Sequence, residues 1–541
     1  MTANTAATFG KKLGHIDDAQ NASAAEAEDE FRVVRPRTAF HIVSDSAWQN
    51  PITERSPFEQ LKLRFGRPLK IAVLSDFTRI PYANGAAFQT RFLYQELQKA
   101  GHKVTIVGPY DPDSKPGEVP EGTIELPSVP LRMYPGVRIP LPLEPWVYDA
   151  SRWDFDLVFA QTTSMMMEFG VWLREMLGIP LLCVNTTHLA AAYEVLLPET
   201  VGPVRDAMRF SIDMTLQRPF ERLYSSVFNM GDGLVVLSEG LRTYWRERGV
   251  TVPIHVIPRA VQPEVFGNEL GSDPYLEIEG MPKGPRMLCA GRHTREKSQD
   301  RVIRIFAKHI LPKCPNASLT LLGKGPDTDF YKRVARDYGV EHRVFFPGEV
   351  PFTRMVDFYA YGDVFLHGSL SETYGNVLGE ALWCGTPTVA FADGMGASSQ
   401  LKNGISGIVV DPGGRTRGDV DIADSNFGRA VVELINDEVF RSQLSINAAR
   451  LARARSSPLA VQALLADAFL HALDRAKRSG LKPQRGRLAP LRWYTTAKHF
   501  APWAGYMGGI YAAGFMRRSS VLPPSPEQPS IAVPSIPPKK A

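Results

Sequence analysis

The chain has 541 residues, a formal net charge of +5, and 44% hydrophobic and 22% charged residues. At about 100–200 residues per domain, that length accommodates two domains plus extensions with ample volume for buried cores, and the composition is that of an ordinary globular protein. No run of about 18 apolar residues is present, so no membrane-spanning helix is expected.

The first thirty residues are polar, Ala-rich and acidic toward their end. They lack the charged-then-apolar order of a secretory signal, and a disordered leader is expected. Cys183, Cys289, Cys314 and Cys384 are far apart and never form a C-x-x-C pair. Neither a zinc site nor a disulfide framework is therefore indicated, which fits a reducing cytoplasm.

From Lys70 the pattern becomes regular: IAVLSDF is a short apolar run, a turn with Asn84 and Gly85 follows, FQTRFLYQELQKAGHKV reads as an amphipathic helix, and VTIVGPY as the next strand. Strand, glycine turn, helix and strand make a βαβ unit, which puts the turn at the carboxyl edge of a parallel sheet. DLVFAQTT, PLLCVNTTH and GLVVLSE continue the series. After a polar stretch from Asn268 to Pro285, a second series comprises RMLCAG, SLTLLGKG, RVFFPGE, VFLHGS, PTVAFA and SGIVVDP. The expected organisation is an extension over 1–67, partly disordered, Rossmann-like domains over 68–267 and 268–457, a helical segment over 458–520, and a Pro-rich tail over 521–541.

The stretch from Arg475 to Ser520 holds ten Lys or Arg and no acid, together with Trp493, Tyr494, Phe500, Trp503, Tyr506, Tyr511 and Phe515. Three readings apply: a membrane-surface anchor, a helix folding back across both domains, and a nucleic-acid patch. Rings at headgroup depth with cations on anionic lipid favour the first, which is compatible with the second, and no nucleic-acid partner is expected.

The most informative segment is HGSLSETYGNVLGEALWCGTPTVAF, from His367 to Phe391, in which a strand ends in a polar loop and a helix begins near Gly375 or Asn376. Backbone N–H groups at a helix start form an anion site, and a glycine lets a ligand approach the main chain, so a phosphate belongs there. Glu372 and Glu380 are eight apart. If both were helical they would stand about 12 Å apart on one side, better placed to hold two parts of a long ligand than to act on one anomeric carbon.

Glu372-Thr-Tyr-Gly-Asn-Val-Leu-Gly-Glu380 resembles the donor-site signature of glycosyltransferase family 4, whose fold is GT-B: two Rossmann-like, doubly wound α/β domains facing across a cleft, here with C-terminal helices. The resemblance implies that Glu372 binds donor-sugar hydroxyls and acts at the catalytic centre. It implies that Thr373, Tyr374, Gly375, Asn376 and Val377 line the donor, mainly through backbone, and that Glu380 binds the ribose diol. GRHTREKSQD resembles the family's Gly-Arg-x-x-x-x-Lys loop, which implies that Arg292 and Lys297 neutralise a diphosphate.

Further matches to the family are the turn at Gly85, His188 beside the reacting sugar, Gly323 at the end of a strand, and main chain near Val350 at the base. VLSEGLRTYW and IPRAVQPEVF resemble segments at the domain junction, the latter departing from an Asn-Gly-Val-Asp form through Arg259, Ala260 and Gln262.

The family implies a retaining hexosyltransferase that takes a UDP- or GDP-sugar, with the leaving diphosphate accepting the acceptor's proton. Asp111-Pro-Asp113 has metal-signature spacing but sits in the other domain, so no cofactor and no metal are expected. The acceptor expected is a membrane lipid or lipid-linked glycan, and the location cytoplasmic, peripheral at the inner face. Two alternatives stand beside this: a soluble transferase acting on a sugar, sugar phosphate or natural product, and a catalytically silent GT-B scaffold.

Overall fold

The computed structural model describes residues 55–482 apart from 80–84, 131–137, 142–144, 163–164, 187–210, 212–213, 215–216, 262–264, 267–269, 371 and 415. Its first domain is built on β1 (Lys70–Ser75), β2 (Lys103–Pro109), β3 (Ile124–Leu126), β6 (Leu157–Gln161), β7 (Leu181–Val184), β8 (Gly233–Val236) and β9 (Ile254–Val256). A short antiparallel pair, β4 (Ser128–Pro130) and β5 (Arg138–Pro140), stands outside this sheet. The main sheet is parallel throughout, in the order β3-β2-β1-β6-β7-β8-β9. Strands covered on both faces lose the polar alternation of a half-exposed strand, and β6 is buried along its whole length.

The second domain repeats the plan with β10 (Arg286–Ala290), β11 (Ser318–Leu322), β12 (Val344–Gly348), β13 (Val364–His367), β14 (Thr388–Phe391) and β15 (Ile408–Val410). Their order is β12-β11-β10-β13-β14-β15, again all parallel. In each sheet the strand order reverses beside the first strand, between β1 and β6 and between β10 and β13. The loops at the carboxyl ends of such a pair splay to opposite faces, and the crevice they leave is where ligands bind in doubly wound sheets.

Six helices frame the crevice and the domain junction: α1 (Pro57–Phe65), α2 (Gly85–Lys99), α3 (Glu239–Glu247), α4 (Asn376–Trp383), α5 (Glu438–Ser456) and α6 (Pro458–Arg478). Helix α1 falls within the segment expected as an extension. It is set by a capping box in which Ser56 accepts from the Glu59 N–H while the Glu59 carboxylate accepts from the Ser56 N–H, and it stops at Gly66 with φ 66°.

Helices α5 and α6 lie end to end around Ser457, whose side chain caps α6 by accepting from the Ala460 N–H. The two serve different domains. Leu444, Ala448 and Ala452 of α5 pack into second-domain cores, whereas Val461, Leu465 and Phe469 of α6 pack with Phe58, Ile71 and Phe159 of the first. The chain thus returns across the junction at Ser457. Of the basic aromatic stretch, 483–520 lies outside the described residues.

Phe469 holds α6 in place, stacked 6.2 Å from Phe58 and edge-on 5.7 Å from Phe159. Truncating a fully buried phenylalanine removes its transfer energy and leaves a cavity, so Phe469→Ala should destabilise the first domain by about 3–5 kcal/mol in urea titrations. An unchanged midpoint would mean that α6 is dispensable to that domain.

Candidate active site

The second sheet's reversal point supplies the site. Where β10 ends, Gly291 turns the chain at φ 144°, exposed Arg292 follows, and a single turn from Arg295 to Lys297 brings the lysine toward β13. Ser298 ends that turn at φ 50°, the one non-glycine with positive φ among the described residues. A serine held in the left-handed region carries strain of the kind concentrated at functional loops. Gly323 supports the turn from behind, for a Cβ there would lie 2.2 Å from the Gly291 carbonyl oxygen. Its observed contact is therefore with the loop's backbone.

Lys297 meets Glu372, which follows β13, at 2.7 Å. Glu372 is only 8% exposed. Burial alone would push its pKa up, but Lys297, with His367 and Ser369 adding to it, holds it at about 2. Burial opposes the charge on Lys297 too, yet Glu372 raises that pKa above its ordinary value. His367 lies 3.7 Å from the same carboxylate oxygen, and burial keeps its pKa below normal.

Glu372 is not helical: α4 starts at Asn376, after Gly375 at φ 80°. The two glutamates therefore do not share one helix face. No side chain caps α4, so its first N–H groups remain available to an anion. At φ 80° Gly375 holds a left-handed conformation that a residue with a side chain would adopt only under strain. Glu380, about one turn into α4, accepts from the Tyr359 hydroxyl at 2.9 Å, while burial pushes its pKa up to about 7.

An open cleft of about 450 Å³ runs beside these groups, with Gln89 of α2 on one wall and Tyr374, Asn376, Gly379 and Glu380 on the other. The loop before α4 touches the first domain directly, since the Thr373 hydroxyl donates to the Thr186 carbonyl at 3.3 Å. Tyr374 turns its ring into the first domain's core and bonds the Ser456 hydroxyl at 2.9 Å. Val350 and Val377 are partly buried against the second-domain core. Gly85 opens α2, but the loop before it, and His188, lie outside the described residues.

Three participants were not anticipated. Gln400 donates to the Tyr374 and Gly375 carbonyls and is itself held by Arg455 at 3.1 and 3.2 Å, so the loop's carbonyls are tied back. Nothing local in the sequence announces a contact between residues so far apart. Arg259 lines the cleft with its Nε buried and without a hydrogen-bond partner. Burial lowers its pKa to about 10, against the pull of Tyr374 and Glu372. Its sequence signal was the cation in the junction segment IPRAV.

Breaking a buried pair from one side leaves the other charge uncompensated. Because the pKa of Glu372 is depressed from 4.5 to about 2, the pair's contribution is complete above 4.5 and is lost as pH falls toward 2. Lys297→Met should cost on the order of 3 kcal/mol at pH 7 in urea unfolding of the second domain, with the gap to wild type narrowing by pH 3. A gap that does not change with pH would separate the loss from Glu372.

The comparisons with known proteins agree on the family. Residues 83–265 match the family model Glycosyltransferase Family 4, and residues 277–449 match Glycosyl transferases group 1. Alpha-monoglucosyldiacylglycerol synthase of Streptococcus pneumoniae is 27% identical over 60% of this chain and 71% of its own length. The sulfoquinovosyl transferase of Arabidopsis thaliana is 24% identical over 64% of each chain. A phosphatidylinositol monomannoside mannosyltransferase of Mycolicibacterium smegmatis is 32% identical over 25% of this chain and 37% of its own. The chain thus spans less than two thirds of the plant and mycobacterial relatives.

Sucrose-phosphate synthase from Thermosynechococcus elongatus superposes with a TM-score of 0.56 at 20% identity, covering 76% of this chain and all of that one. Anabaena HepE, solved with UDP-glucose, gives 0.55 at 17%, covering 74% and 98%. At such identities the likeness concerns the fold. The chain belongs to the GT-B glycosyltransferases, with a family 4 domain followed by a group 1 domain.

Proposed function

We propose that the protein moves a hexose from a UDP- or GDP-sugar to a membrane lipid or lipid-linked glycan, with retention of anomeric configuration and without a metal ion, at the cytoplasmic face of a membrane. The observation that carries this reading is the Lys297–Glu372 pair beside the uncapped start of α4. One region thereby offers a cation, backbone N–H donors and an ionised acceptor of sugar hydroxyls.

On this reading the diphosphate is held by Arg292, Lys297 and the α4 N–H groups, with Arg259 as a further cation in the cleft. Glu372 accepts hydrogen bonds from the sugar and Glu380 from the ribose, and His188 lies by the reacting carbon. The bond from the anomeric carbon to the phosphate oxygen breaks while a bond to the acceptor oxygen forms on the same face. The acceptor's proton passes to the leaving phosphate. The protein positions the reactants and stabilises developing charge, and the cations take the place a metal would fill. The Asp111 carboxylate is already engaged by Arg79 at 3.1 Å, which is consistent with metal-free transfer.

Support for a lipid acceptor comes from the names of two relatives, a monoglucosyldiacylglycerol synthase and a phosphatidylinositol monomannoside mannosyltransferase. The acid-free basic aromatic run over 475–520 suits an anionic membrane surface.

The test is the purified full chain with UDP-glucose, UDP-galactose or GDP-mannose, vesicles containing diacylglycerol or phosphatidylinositol, and EDTA, with product anomers assigned by NMR. An α-linked glycolipid formed from an α-linked donor is expected. A β-linked product overturns retention, loss of product in EDTA overturns metal independence, and product formed only on water-soluble sugars overturns the lipid acceptor.

Ribose hydroxyls donate to an ionised carboxylate. With the Glu380 pKa near 7, donor affinity should fall as pH drops below that value. Glu380→Gln should weaken nucleotide binding about tenfold and flatten the pH profile in calorimetric titrations. A wild-type affinity that is flat from pH 8 to 6 would remove Glu380 from the ribose site.

A further inference from the structure

Away from the cleft, His255 of β9 faces helix α6, where Asp467 and His471 stand four residues apart and therefore on one side of the helix. One ligand atom from each of the three lies within 4.8 Å of the other two. His471 Nδ1 is 3.5 Å from an Asp467 carboxylate oxygen. The two imidazole rings have centroids 5.4 Å apart. Two imidazoles on one tetrahedral ion, with metal–nitrogen bonds of about 2.1 Å, place their ring centres about 5 Å apart. The observed separation thus already approximates a shared ion, and the exposed Asp467 and His471 can close the remaining gap by side-chain rotation.

A second observation points the same way: His255 Nε2 is buried and has no hydrogen-bond partner. A buried polar atom left unpaired costs about 1–3 kcal/mol unless a ligand or water satisfies it.

We propose that His255, Asp467 and His471 form a binding site for a divalent transition metal of the zinc type. Two nitrogens and one carboxylate suit Zn²⁺ and disfavour Mg²⁺ and Ca²⁺, which take oxygen ligands. The fourth position is open to water. The site is separate from the transfer chemistry, since neither β9 nor α6 supplies a donor-site residue. Its effect is a clip: the ion fastens the last described helix to β9, the outer strand of the first sheet, at the point from which the chain continues into its basic aromatic run. Binding to the folded form alone then stabilises the helix against peeling from the sheet.

The test uses the full chain, free of any histidine tag and stripped of metal. Zn²⁺ is titrated by calorimetry, Co²⁺ by the visible absorption of a tetrahedral ion, and Tm is followed with Zn²⁺ or Mg²⁺. One equivalent of Zn²⁺ per chain, a tetrahedral Co²⁺ spectrum and a Tm raised by Zn²⁺ but not Mg²⁺ are expected. The exposed His471→Gln and Asp467→Asn substitutions should each weaken binding at least tenfold without changing the metal-free Tm. No stoichiometric binding overturns the site. Binding that survives in His471→Gln overturns it as well, because the result is then an adventitious ion only. Transfer activity in EDTA is read separately, so the clip and the proposed reaction stand or fall independently.

Discussion

The ion pair between Lys297 and Glu372 is the interaction on which the site depends. It joins the loop after β10 to the loop after β13, the two loops that diverge where the strand order reverses. Without it two strands would end in a crevice with no fixed walls; with it the crevice has a charged floor of set geometry. The pair is neither fully dry nor screened by bulk water, with side chains 28% and 11% exposed, so its attraction is stronger than at a surface while its desolvation stays bearable. A ligand hydroxyl or phosphate can then exchange with part of the pair at modest cost.

The second constraint is mechanical. The loop before α4 is anchored on both sides of the domain junction: Tyr374 enters the first domain's core and bonds Ser456, while Gln400, itself held by Arg455, donates to the loop's carbonyls. Ser456 and Arg455 end α5, and α6 departs at once to the first domain. Any movement of one domain against the other is therefore felt at the residues that flank the helix start. Domains that close on a ligand need such an element, tied to both halves and adjacent to the bound group.

How much of this was legible in the sequence depends on the range of each interaction. Parallel strands covered on both faces appear as continuous apolar runs, which is why β10 to β15 could be placed from residues alone. The start of α4 was readable because Gly375 before Asn376 is a stop and a start in two residues. The spacing of Glu372 and Glu380 suggested a shared helix face only on the condition that both were helical, and the φ of 80° at Gly375 breaks that condition. Tyr374 was read through its backbone; that its ring belongs to the other domain's core is a long-range fact that no local pattern encodes. Arg259 was set aside because its segment departs from the family form, although that departure is what places a cation in the cleft.

These charges, taken together, leave the open site electropositive. Glu372 is ionised but neutralised by Lys297, while Glu380, half-buried beside Tyr359, has its pKa pushed up to about 7. Arg292 and Arg259 add positive charge, and the half-buried Arg259 does so at a desolvation cost visible in its lowered pKa. On the proposed reading, an anionic diphosphate would offset part of that cost where a neutral ligand would not. If the leaving group gains negative charge there, as proposed, the same cations would hold it more strongly along the reaction, the condition under which binding energy accelerates chemistry rather than only retaining substrate.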